Sequence, residues 1–429
     1  MKLSLFMLLI STVLIKTVFV RANPMINANE IEWLDIENWN KTIKLNKRGY
    51  DSQIKRISFY KGVDVSSIIA LENSGIRYYN YNGQQQDLLK ILADNGVNCI
   101  RVRIWNTPRT TSGYTYGGGN NDLNVATEIG KRAAKYGLPL FVDFHYSDFW
   151  ADPGKQTIPK DWKNHNLNQR IFDIYRFTYG CLDWLLQNGA LISMVQVGNE
   201  TNCFMCGETD MSNIAKMMNN GAKAVRDINK NILIALHFTN PEKHDHMLWY
   251  ASELAKAKVD YDVFATSYYS YWHGTVDSVK SVLGQIAQTY GKKVLMAEYS
   301  YPYVSKVVYN NNASYSLVYQ GLSGTVFRYP ISEDGQSQCI REMYKTMRSI
   351  RNGIGCFYWE PAWIAPNVNS DSKRKIIWEK YGSSWATKAA AEYDRGADPN
   401  ITGGAEWDNQ AVFDSNGKPL KSLWYLGHE

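Results

Sequence analysis

Two glutamates have the residue type and the setting for acid–base chemistry. Glu200 ends the stretch MVQVGNE and Glu298 lies in VLMAEYS, so each carboxyl group follows an apolar run that would hold it rigidly. In such a pair, one carboxyl group protonates the leaving oxygen of a glycosidic bond while the other attacks the anomeric carbon. Asn199 adds an amide that can hydrogen-bond a sugar hydroxyl beside the reacting carbon. A lone carboxylate could equally bind a metal or pair with arginine, so the hypothesis of glycoside hydrolysis requires the two glutamates to converge.

The elements that must position them alternate between strand and helix. Short β-branched or aromatic runs are each followed by a segment with apolar residues three and four apart. Eight runs are predicted to be strands: 57–64, 97–105, 138–145, 192–199, 231–237, 261–268, 293–298 and 353–360. With no GxGxxG motif and no P-loop, this order predicts an α/β protein whose residues 56–429 form one catalytic domain, a closed (β/α)₈ TIM barrel.

Polar residues at the C-terminal ends of barrel strands face a common mouth. The fourth and seventh strands lie across that mouth from one another, which would bring Glu200 and Glu298 together. Strand ends that carry acids, His, Arg and Trp cost stability unless these groups are paired, so the clustering favours a working site. Further candidates at these ends are Asp64, Arg103, Trp105, His145, Asp148, Trp150, Tyr268, Trp272, His273, Trp359, Glu360 and Trp363.

The N-terminus has the features of a secretory signal. MKLSLFMLLISTVLIKTVFVRANP combines a basic residue, an apolar stretch and the small-x-small sequence Val20-Arg21-Ala22. This predicts a signal peptide over residues 1–22 and an extracellular protein with no membrane association after cleavage. An uncleaved anchor is the alternative, although Lys16 interrupts the apolar run short of the ~20 residues that span a bilayer. Residues 23–55 are polar without a clear period and are interpreted as an N-terminal extension.

Charge and aromatic content point away from nucleic acid and towards sugars. The net charge is +6, but three of the basic residues lie in the first 22 positions, where there is no acid. The remaining excess gives no support for a nucleic-acid partner. The 29 Tyr and 14 Trp residues offer flat rings with polar tips that can lie against the C–H face of a sugar, although core packing explains most of them.

Cysteine and histidine spacings give little support for a metal. Export would place the six cysteines where disulfides persist, with a connectivity that the sequence does not reveal. Cys203 and Cys206 form a CxxC, but no second CxxC or HxxxH accompanies it, so a local disulfide or two inert thiols is favoured over zinc or redox chemistry. The sequence His244-Asp245-His246 has metal-like spacing in a polar segment and is interpreted as a solvated turn.

Several long stretches resemble one known family. They are GVDVSSIIALENSGIRYYN, QDLLKILADNGVNCIRVRIWN, YGGGNNDL, FVDFHYSDFWADPGKQTIPKDW, MVQVGNE, YDVFATSYYSYWHGT, EYSYPY, CFYWEPAWI and WDNQAVFDSNG. Together they closely resemble glycoside hydrolase family 53, the arabinogalactan endo-β-1,4-galactanases with a (β/α)₈ fold. The resemblance runs from about Gly62 to about Leu423.

The resemblance implies roles for the central residues. Glu200 would be the acid/base and Glu298 the nucleophile of a retaining double displacement. Asn199 would contact the sugar 2-hydroxyl, and Arg103 would hold the nucleophile ionised, since charge pairing lowers the pKa of a carboxyl group. Arg101, on the same strand face, is the reserve candidate for that contact, with an ordinary salt bridge as its alternative role.

The remaining candidates are expected to support or line the site. His145 would bond a sugar hydroxyl or orient Glu200, or else brace its own loop, which also carries Asp148 and Trp150. Tyr268, rather than Tyr269, is expected to hydrogen-bond Glu298. Trp359 would lie under the sugar at the cleavage point, or else pack at the top of the barrel. Residues expected to contact sugar at further subsites are Asp64, Trp105, Trp272, His273, Glu360 and Trp363.

Some features depart from the family's pattern. The loop NETNCFMCGETD stands where relatives have a more Asn/Gly-rich loop. Ser270 replaces a Pro, and Tyr299 replaces a small Thr. All three features are expected to flank the cleft. Some relatives hold structural calcium after the seventh strand, where this chain has no acidic run, so calcium is left open. Catalysis of this kind needs no metal or cofactor.

The sequence hypothesis is therefore a secreted, monomeric, retaining endo-galactanase whose partners are the galactan or arabinogalactan side chains of pectin and the released oligosaccharides. One alternative is an endo-glycanase on the same barrel that acts on mannan, xylan or β-glucan. The other is a galactan-binding protein without catalytic activity.

Overall fold

Eight parallel strands close into a barrel in the order in which they occur along the chain. The computed structural model describes residues 50–202, 204–308, 316–394 and 403–429. The strands are β1 (Tyr60–Asp64), β2 (Cys99–Ile104), β3 (Leu140–Phe144), β4 (Ile192–Val197), β5 (Leu233–Phe238), β6 (Val263–Ser267), β7 (Lys293–Tyr299) and β8 (Gly353–Trp359). Each strand pairs in parallel with the next, and β8 pairs with β1. The predicted (β/α)₈ TIM barrel is confirmed.

Helices connect the strands. The α-helices among the described residues are α1 (Ile68–Asn73), α2 (Leu88–Asp94), α3 (Leu123–Lys135), α4 (Leu167–Gln187), α5 (Met211–Ile228), α6 (His244–Lys256), α7 (Val276–Tyr290), α8 (Glu333–Ser349), α9 (Asp371–Tyr381) and α10 (Ser422–His428). Short 3₁₀ turns lie at Asp51–Gln53, Lys160–Trp162, Lys388–Glu392 and Asp408–Gln410. None of the helices in this part of the chain is long and apolar enough to cross a membrane.

Local sequence signals explain where the helices begin and end. The Asp122 side chain accepts hydrogen bonds from the first backbone N–H groups of α3, and Asn166 with Gln169 forms a capping box at the start of α4. Gly291 and Gly382 adopt left-handed backbone conformations directly after α7 and α9. The predicted alternation therefore has a specific stop or start at most of these boundaries.

The lower half of the barrel interior is apolar. Side chains that include Tyr60, Phe141, Met194, Leu295 and Phe357 fill it. Gly62 on β1 is required there, because a Cβ atom at this position would lie 2.2 Å from the ring of Phe357. This layer supports the polar layer above it, which contains the two arginines of β2.

The last residues of the predicted N-terminal extension pack against the barrel. Residues Gly49–Glu429 form one compact unit. Ile54 bridges to Ile192, and the Gln53 side chain donates to the Leu186 carbonyl at 2.6 Å, so residues 50–55 of the predicted 23–55 extension pack against the barrel. The predicted signal peptide 1–22, the rest of the extension and Cys203 lie outside the described residues.

Candidate active site

Arg101 lies at the centre of the polar layer and contacts one of the two glutamates. Its Nη1 is 2.9 Å from Glu298 Oε1 and 2.9 Å from Asp64 Oδ2. Its Nη2 is 2.9 Å from Asp143 Oδ2 and 3.1 Å from Asn199 Oδ1. The arginine is fully buried, so these partners fix the guanidinium group. Arg101 therefore orients Glu298 at the mouth of the barrel.

The predicted partner, Arg103, does not make this contact. Arg103 instead pairs with Asp64 at 3.1 Å and with Glu360 at 2.7 Å. Both arginines point to the same side of β2 because side chains repeat every two residues along a strand. They sit at different heights, however, and only the lower one meets Glu298. Arg101, the reserve candidate, takes the contact, and the assignment of Arg103 is corrected.

The tyrosine beside Glu298 also differs from the prediction. Tyr269 donates its hydroxyl to Glu298 Oε2 at 2.9 Å. The favoured candidate, Tyr268, instead donates to the Gly274 carbonyl at 3.0 Å. The pairing of β6 with β7 shifts register between Thr266 and Ser267, directly before the two tyrosines, so the side-chain alternation along β6 does not continue simply through them.

Glu200 lies just beyond β4 in a strained backbone conformation. Its φ is +45°, a left-handed value that non-glycine residues rarely adopt, and it follows Gly198 at +86°. His237, at the end of β5, holds this segment, with Nδ1 3.4 Å from the Glu200 amide nitrogen and 2.9 Å from Asn199 Oδ1. His237 ends a predicted strand, but the sequence prediction did not include it among the site residues. Its position at the end of a strand is the feature that could have identified it.

The two glutamates differ in their electrostatic surroundings. Burial, and secondly the negative charge of Glu298, raise the pKa of Glu200 to about 8. Burial also raises the pKa of Glu298, but the Arg101 guanidinium opposes this rise. Their mutual influence requires the two carboxyl groups to lie within electrostatic reach. The arrangement favours a protonated Glu200, able to donate, beside a Glu298 whose negative charge is stabilised.

Tryptophans form one wall of the site. Trp150 stacks on Trp385 with ring centroids 4.4 Å apart, and Trp359 meets Trp407 edge to face at 4.8 Å. The guanidinium of Arg103 lies 4.7 Å from the Trp150 ring centroid. The sequence prediction included Trp150 and Trp359 but missed Trp385 and Trp407, because these follow the last strand and have no strand-end signal. Only the motif WDNQAVFDSNG pointed to Trp407.

Comparison with known proteins identifies the family. The model of Glycosyl hydrolase family 53 matches residues 60–426. This chain belongs to glycosyl hydrolase family 53. An endo-β-1,4-galactanase of Bacillus subtilis (strain 168) is 48% identical over 385 residues, which cover 88% of each chain. An arabinogalactan endo-β-1,4-galactanase of Humicola insolens is 33% identical over 71% of this chain and 90% of that protein.

Solved structures agree with this assignment. The family 53 catalytic domain of Ignisphaera aggregans superposes with a TM-score of 0.72 at 33% identity, over 87% of this chain and 96% of that domain. A structure from a study of two fungal β-1,4-galactanases gives a TM-score of 0.66 at 28% identity, over 86% of this chain and 99% of that one. The protein is therefore a glycoside hydrolase of family 53 with the barrel of that family.

Within this hydrolase, His145 and Asp148 brace a loop. His145 is buried, with Nε2 3.1 Å from Asp143, and its Nδ1 accepts from the Ala151 amide at 3.1 Å. Asp148 is also buried and accepts from the backbone amides of Thr107 and Lys160. These contacts match the bracing alternative for His145, and no contact joins His145 to Glu200. Burial raises the pKa of Asp148 to about 7.

Asn199 is held close to both glutamates. Its Oδ1 accepts from Arg101, and its Nδ2 donates to the Ala151 carbonyl at 2.9 Å. An amide nitrogen carries two hydrogens, so one donor remains for a further partner. The predicted contact of Asn199 with a sugar hydroxyl stays a prediction.

Several predicted sugar contacts lie beneath the surface. Asp64 bridges the two arginines and has no exposed side-chain surface, and Trp105 packs edge to face on Trp150 at 5.0 Å. Other buried residues, which also do not line the surface, are Glu360, Trp363, Ser270 and Tyr299. They were expected at subsites or beside the cleft, but strand-end positions include both the exposed layer and the layer under it.

Trp272 and His273 follow β6 and differ in exposure. Trp272 is 38% exposed and meets Tyr269 edge to face with ring centroids 5.8 Å apart. His273 is buried, and its Nδ1 accepts from the Tyr269 amide at 3.1 Å. Trp272 therefore keeps an accessible ring beside the site, whereas His273 supports the turn that carries Tyr269.

Metal and cysteine features play no visible part in this site. Among the described residues, no group of three or more His, Cys, Asp or Glu side chains is arranged to hold a metal ion. His244-Asp245-His246 forms the first turn of α6, and Asp245 and His246 are exposed there, as expected for a solvated turn. The cysteines within the described ranges are buried free thiols, namely Cys99, Cys181, Cys206, Cys339 and Cys356. Residues 309–315, in the segment considered for calcium, lie outside the described ranges.

Proposed function

We propose that this glycosidase is an exported, retaining endo-β-1,4-galactanase that acts on the (arabino)galactan side chains of pectin. The observation that carries the proposal is the asymmetric pair of carboxyl groups: Glu298 is held by Arg101 and Tyr269, whereas Glu200 has no ion-pair partner among the described residues. The named activity of the relatives from Bacillus subtilis and Humicola insolens supports galactan as the substrate.

The chemistry follows from this asymmetry. Glu298 attacks the anomeric carbon and forms a glycosyl ester, while Glu200 transfers its proton to the departing glycosidic oxygen. Glu200, now a carboxylate, then takes a proton from the water that attacks the same carbon and releases Glu298. Two inversions at one carbon give net retention. No cofactor takes part in these steps.

Incubation of the purified protein with linear β-1,4-galactan tests the activity. Short galacto-oligosaccharides should appear, and proton NMR should show the β-anomer as the first product. Mannan, xylan and β-glucan run in parallel serve as substrate controls. Preferred cleavage of one of these would support the other endo-glycanase, and binding to galactan without new reducing ends would support a non-catalytic protein.

The pH profile tests the role of Glu200. Since the carboxyl group must be protonated to donate, kcat/KM should fall as the pH rises through about 8. Glu200→Gln should lose activity on galactan yet still release a burst of one fluoride per enzyme from a β-galactosyl fluoride, whose leaving group needs no proton. Added azide, a nucleophile that needs no general base, should then restore steady turnover of the fluoride. Equal loss on both substrates would contradict the assignment of the acid.

Export and oligomeric state are separate parts of the proposal. The basic, apolar and small-x-small pattern of residues 1–22 supports cleavage after Ala22. N-terminal sequencing of protein recovered from the culture medium should begin at Asn23. Sedimentation equilibrium should give the mass of a monomer.

A further inference from the structure

A pocket lies beside the loop that follows Glu200. Its volume is about 200 Å³, and its lining includes Asn202, Phe204, Thr239, Asn240 and Lys243. A cavity of roughly 150 Å³ holds a benzene ring, so this pocket has room for one six-membered sugar ring. The proposed chemistry assigns it no role, although it lies on the side of the proton donor.

The inner wall of the pocket is continuous with the acid/base segment. The Asn202 amide nitrogen is 2.9 Å from the Glu200 carbonyl oxygen. The Asn202 side chain binds the Thr239 backbone twice, accepting from N at 2.8 Å and donating to O at 3.1 Å. The buried Thr239 hydroxyl makes no hydrogen bond within 3.5 Å among the described residues. A group in this pocket is therefore a neighbour of the proton donor.

Phe204 forms the apolar part of the lining. Its side chain is 40% exposed, although the loop around it is anchored. The Thr201 amide donates to the His237 carbonyl before it, and Arg170 donates to the Cys206 carbonyl at 2.7 Å after it. Single exposed aromatic residues are common, but this one lies at the edge of a pocket with polar groups around it. An accessible ring can stack on the C–H face of a sugar.

Lys243 supplies unused donors. Its ammonium group makes no ion pair or hydrogen bond with any described residue, and an ammonium group offers three donors. Burial, and secondly the charge of Lys243, lower the pKa of His273 to about 4. The geometry agrees, because a Cβ atom placed on Gly274 would lie 3.1 Å from the side chain of Glu242, the residue before Lys243. The Lys243 end of the pocket is therefore next to the turn that carries Trp272 and Tyr269.

We infer that this pocket binds the first sugar of the leaving group, with Phe204 stacked on its C–H face and Lys243 donating to its hydroxyl oxygens. Glu200 protonates the oxygen that joins the two halves of the substrate, so the departing half must lie on the Glu200 side. The tryptophan wall and Glu298 would then contact the other half of the substrate, which becomes covalently attached to the enzyme. This inference rests on the proposed galactanase function.

The test compares two substrates in Phe204→Ala. Galactohexaose has a leaving-group sugar, whereas β-galactobiosyl fluoride releases only fluoride, which is too small to reach the pocket. Loss of one stacking contact should lower kcat/KM on galactohexaose about 10-fold. Turnover of the fluoride should change less than about 2-fold. Lys243→Met should show the same selectivity with a smaller loss.

Trp424→Ala is the matched control, because Trp424 is a half-exposed aromatic residue on α10, away from this pocket. It should change neither substrate's turnover. An equal loss on both substrates in Phe204→Ala, or no loss on either, would overturn the inference while leaving the galactanase proposal intact. A wild-type protein that cleaves neither substrate would instead refute the galactanase proposal itself.

Discussion

Two arginines of β2 each pair with a glutamate, and in the proposed mechanism only one of these glutamates reacts. Arg101 binds Glu298 at 2.9 Å and Arg103 binds Glu360 at 2.7 Å; both arginines are buried and both also bind Asp64. The acids differ in access. Glu298 is 6% exposed and receives the Tyr269 hydroxyl, whereas Glu360 has no exposed surface and receives the Ser67 hydroxyl. Both acids pair with an arginine, so in the proposed mechanism the small exposed surface of Glu298 is what separates the reacting acid from the structural one.

Backbone strain does not separate catalytic from structural acids here. Glu360 has φ +50° and directly follows β8, and Glu200 has φ +45° three residues after the end of β4. A strained residue at a strand end is therefore not by itself a catalytic residue in this barrel. In each case the left-handed turn directs the chain away from the sheet. The groups that the side chain then contacts determine its role.

The largest expected effect on activity comes from replacing Glu298 by glutamine, with the same replacement of Glu360 for comparison. Glu298→Gln should lower kcat on galactan by roughly 10⁴-fold, because the nucleophile is lost. Glu360→Gln should keep kcat within about 5-fold, since the amide can still accept from Arg103 and meet Ser67. Initial rates, with circular dichroism to verify folding, measure both. Comparable losses in the two variants would abolish the distinction between the pairs.

The arginines should differ in their effect on the pH profile. Arg101 opposes the rise in the pKa of Glu298, so Arg101→Lys should raise that pKa, because the shorter, single-point cation reaches fewer of its partners. Since Glu298 must be ionised to attack, the acidic limb of kcat/KM should move up by about 1 pH unit. Misplacement of the nucleophile should also lower kcat by roughly 100-fold.

Arg103→Lys is the matched control for that measurement. Arg103 does not contact Glu298, so the acidic limb should stay in place even if the melting temperature falls. A shift of equal size in both variants would mean that the field of the whole network, rather than the Arg101 contact, sets the ionisation of Glu298.

Periodicity predicted the barrel because eight apolar runs alternate with helical spacing, and parallel strand ends necessarily meet at one mouth. Convergence of Glu200 and Glu298 follows from that topology. Which of Arg101 and Arg103 contacts Glu298 could not be predicted in this way. Residues two apart on a strand point to the same face and differ only in their position along the barrel axis. Which of the two positions matches Glu298, which reaches across the barrel interior from β7, depends on the three-dimensional structure.

Other errors have similarly local causes. Alternation along a strand predicts that only one of Tyr268 and Tyr269 faces the site but does not say which, and the register shift at Thr266–Ser267 interrupts that alternation. Trp385 and Trp407 come from the chain beyond β8 and reach the site only through tertiary packing. A single sequence records neither a bulge nor the path of a long segment that folds back over the mouth.

A smaller effect should separate the two adjacent tyrosines. Tyr269→Phe removes a hydrogen bond to the Glu298 carboxyl group, a loss of about 1.5–3 kcal/mol that corresponds to a 10- to 100-fold lower kcat/KM. Tyr268→Phe removes a neutral bond to the Gly274 carbonyl and should cost about 1 kcal/mol of stability with little change in rate. Steady-state kinetics and thermal unfolding of both variants measure the contrast. A greater rate loss in Tyr268→Phe would restore the original prediction.

The smallest expected effect concerns the buried pair that does not react. Burial, opposed by Arg103, raises the pKa of Glu360 to about 7, above its value in the unfolded chain. A carboxyl group with a raised pKa stabilises the fold most at a pH where it is protonated in both the folded and the unfolded protein. That contribution is lost as the pH rises from about 4.5 through 7, because the unfolded chain loses the proton first. Glu360→Gln removes this titration, so its melting temperature should fall less than that of the wild type between pH 5 and pH 8. If the melting temperatures of the two proteins instead change with pH in parallel, Arg103 keeps Glu360 ionised throughout this range. The Arg103–Glu360 pair would then match the Arg101–Glu298 pair in charge and differ from it only in its exposure to the cleft.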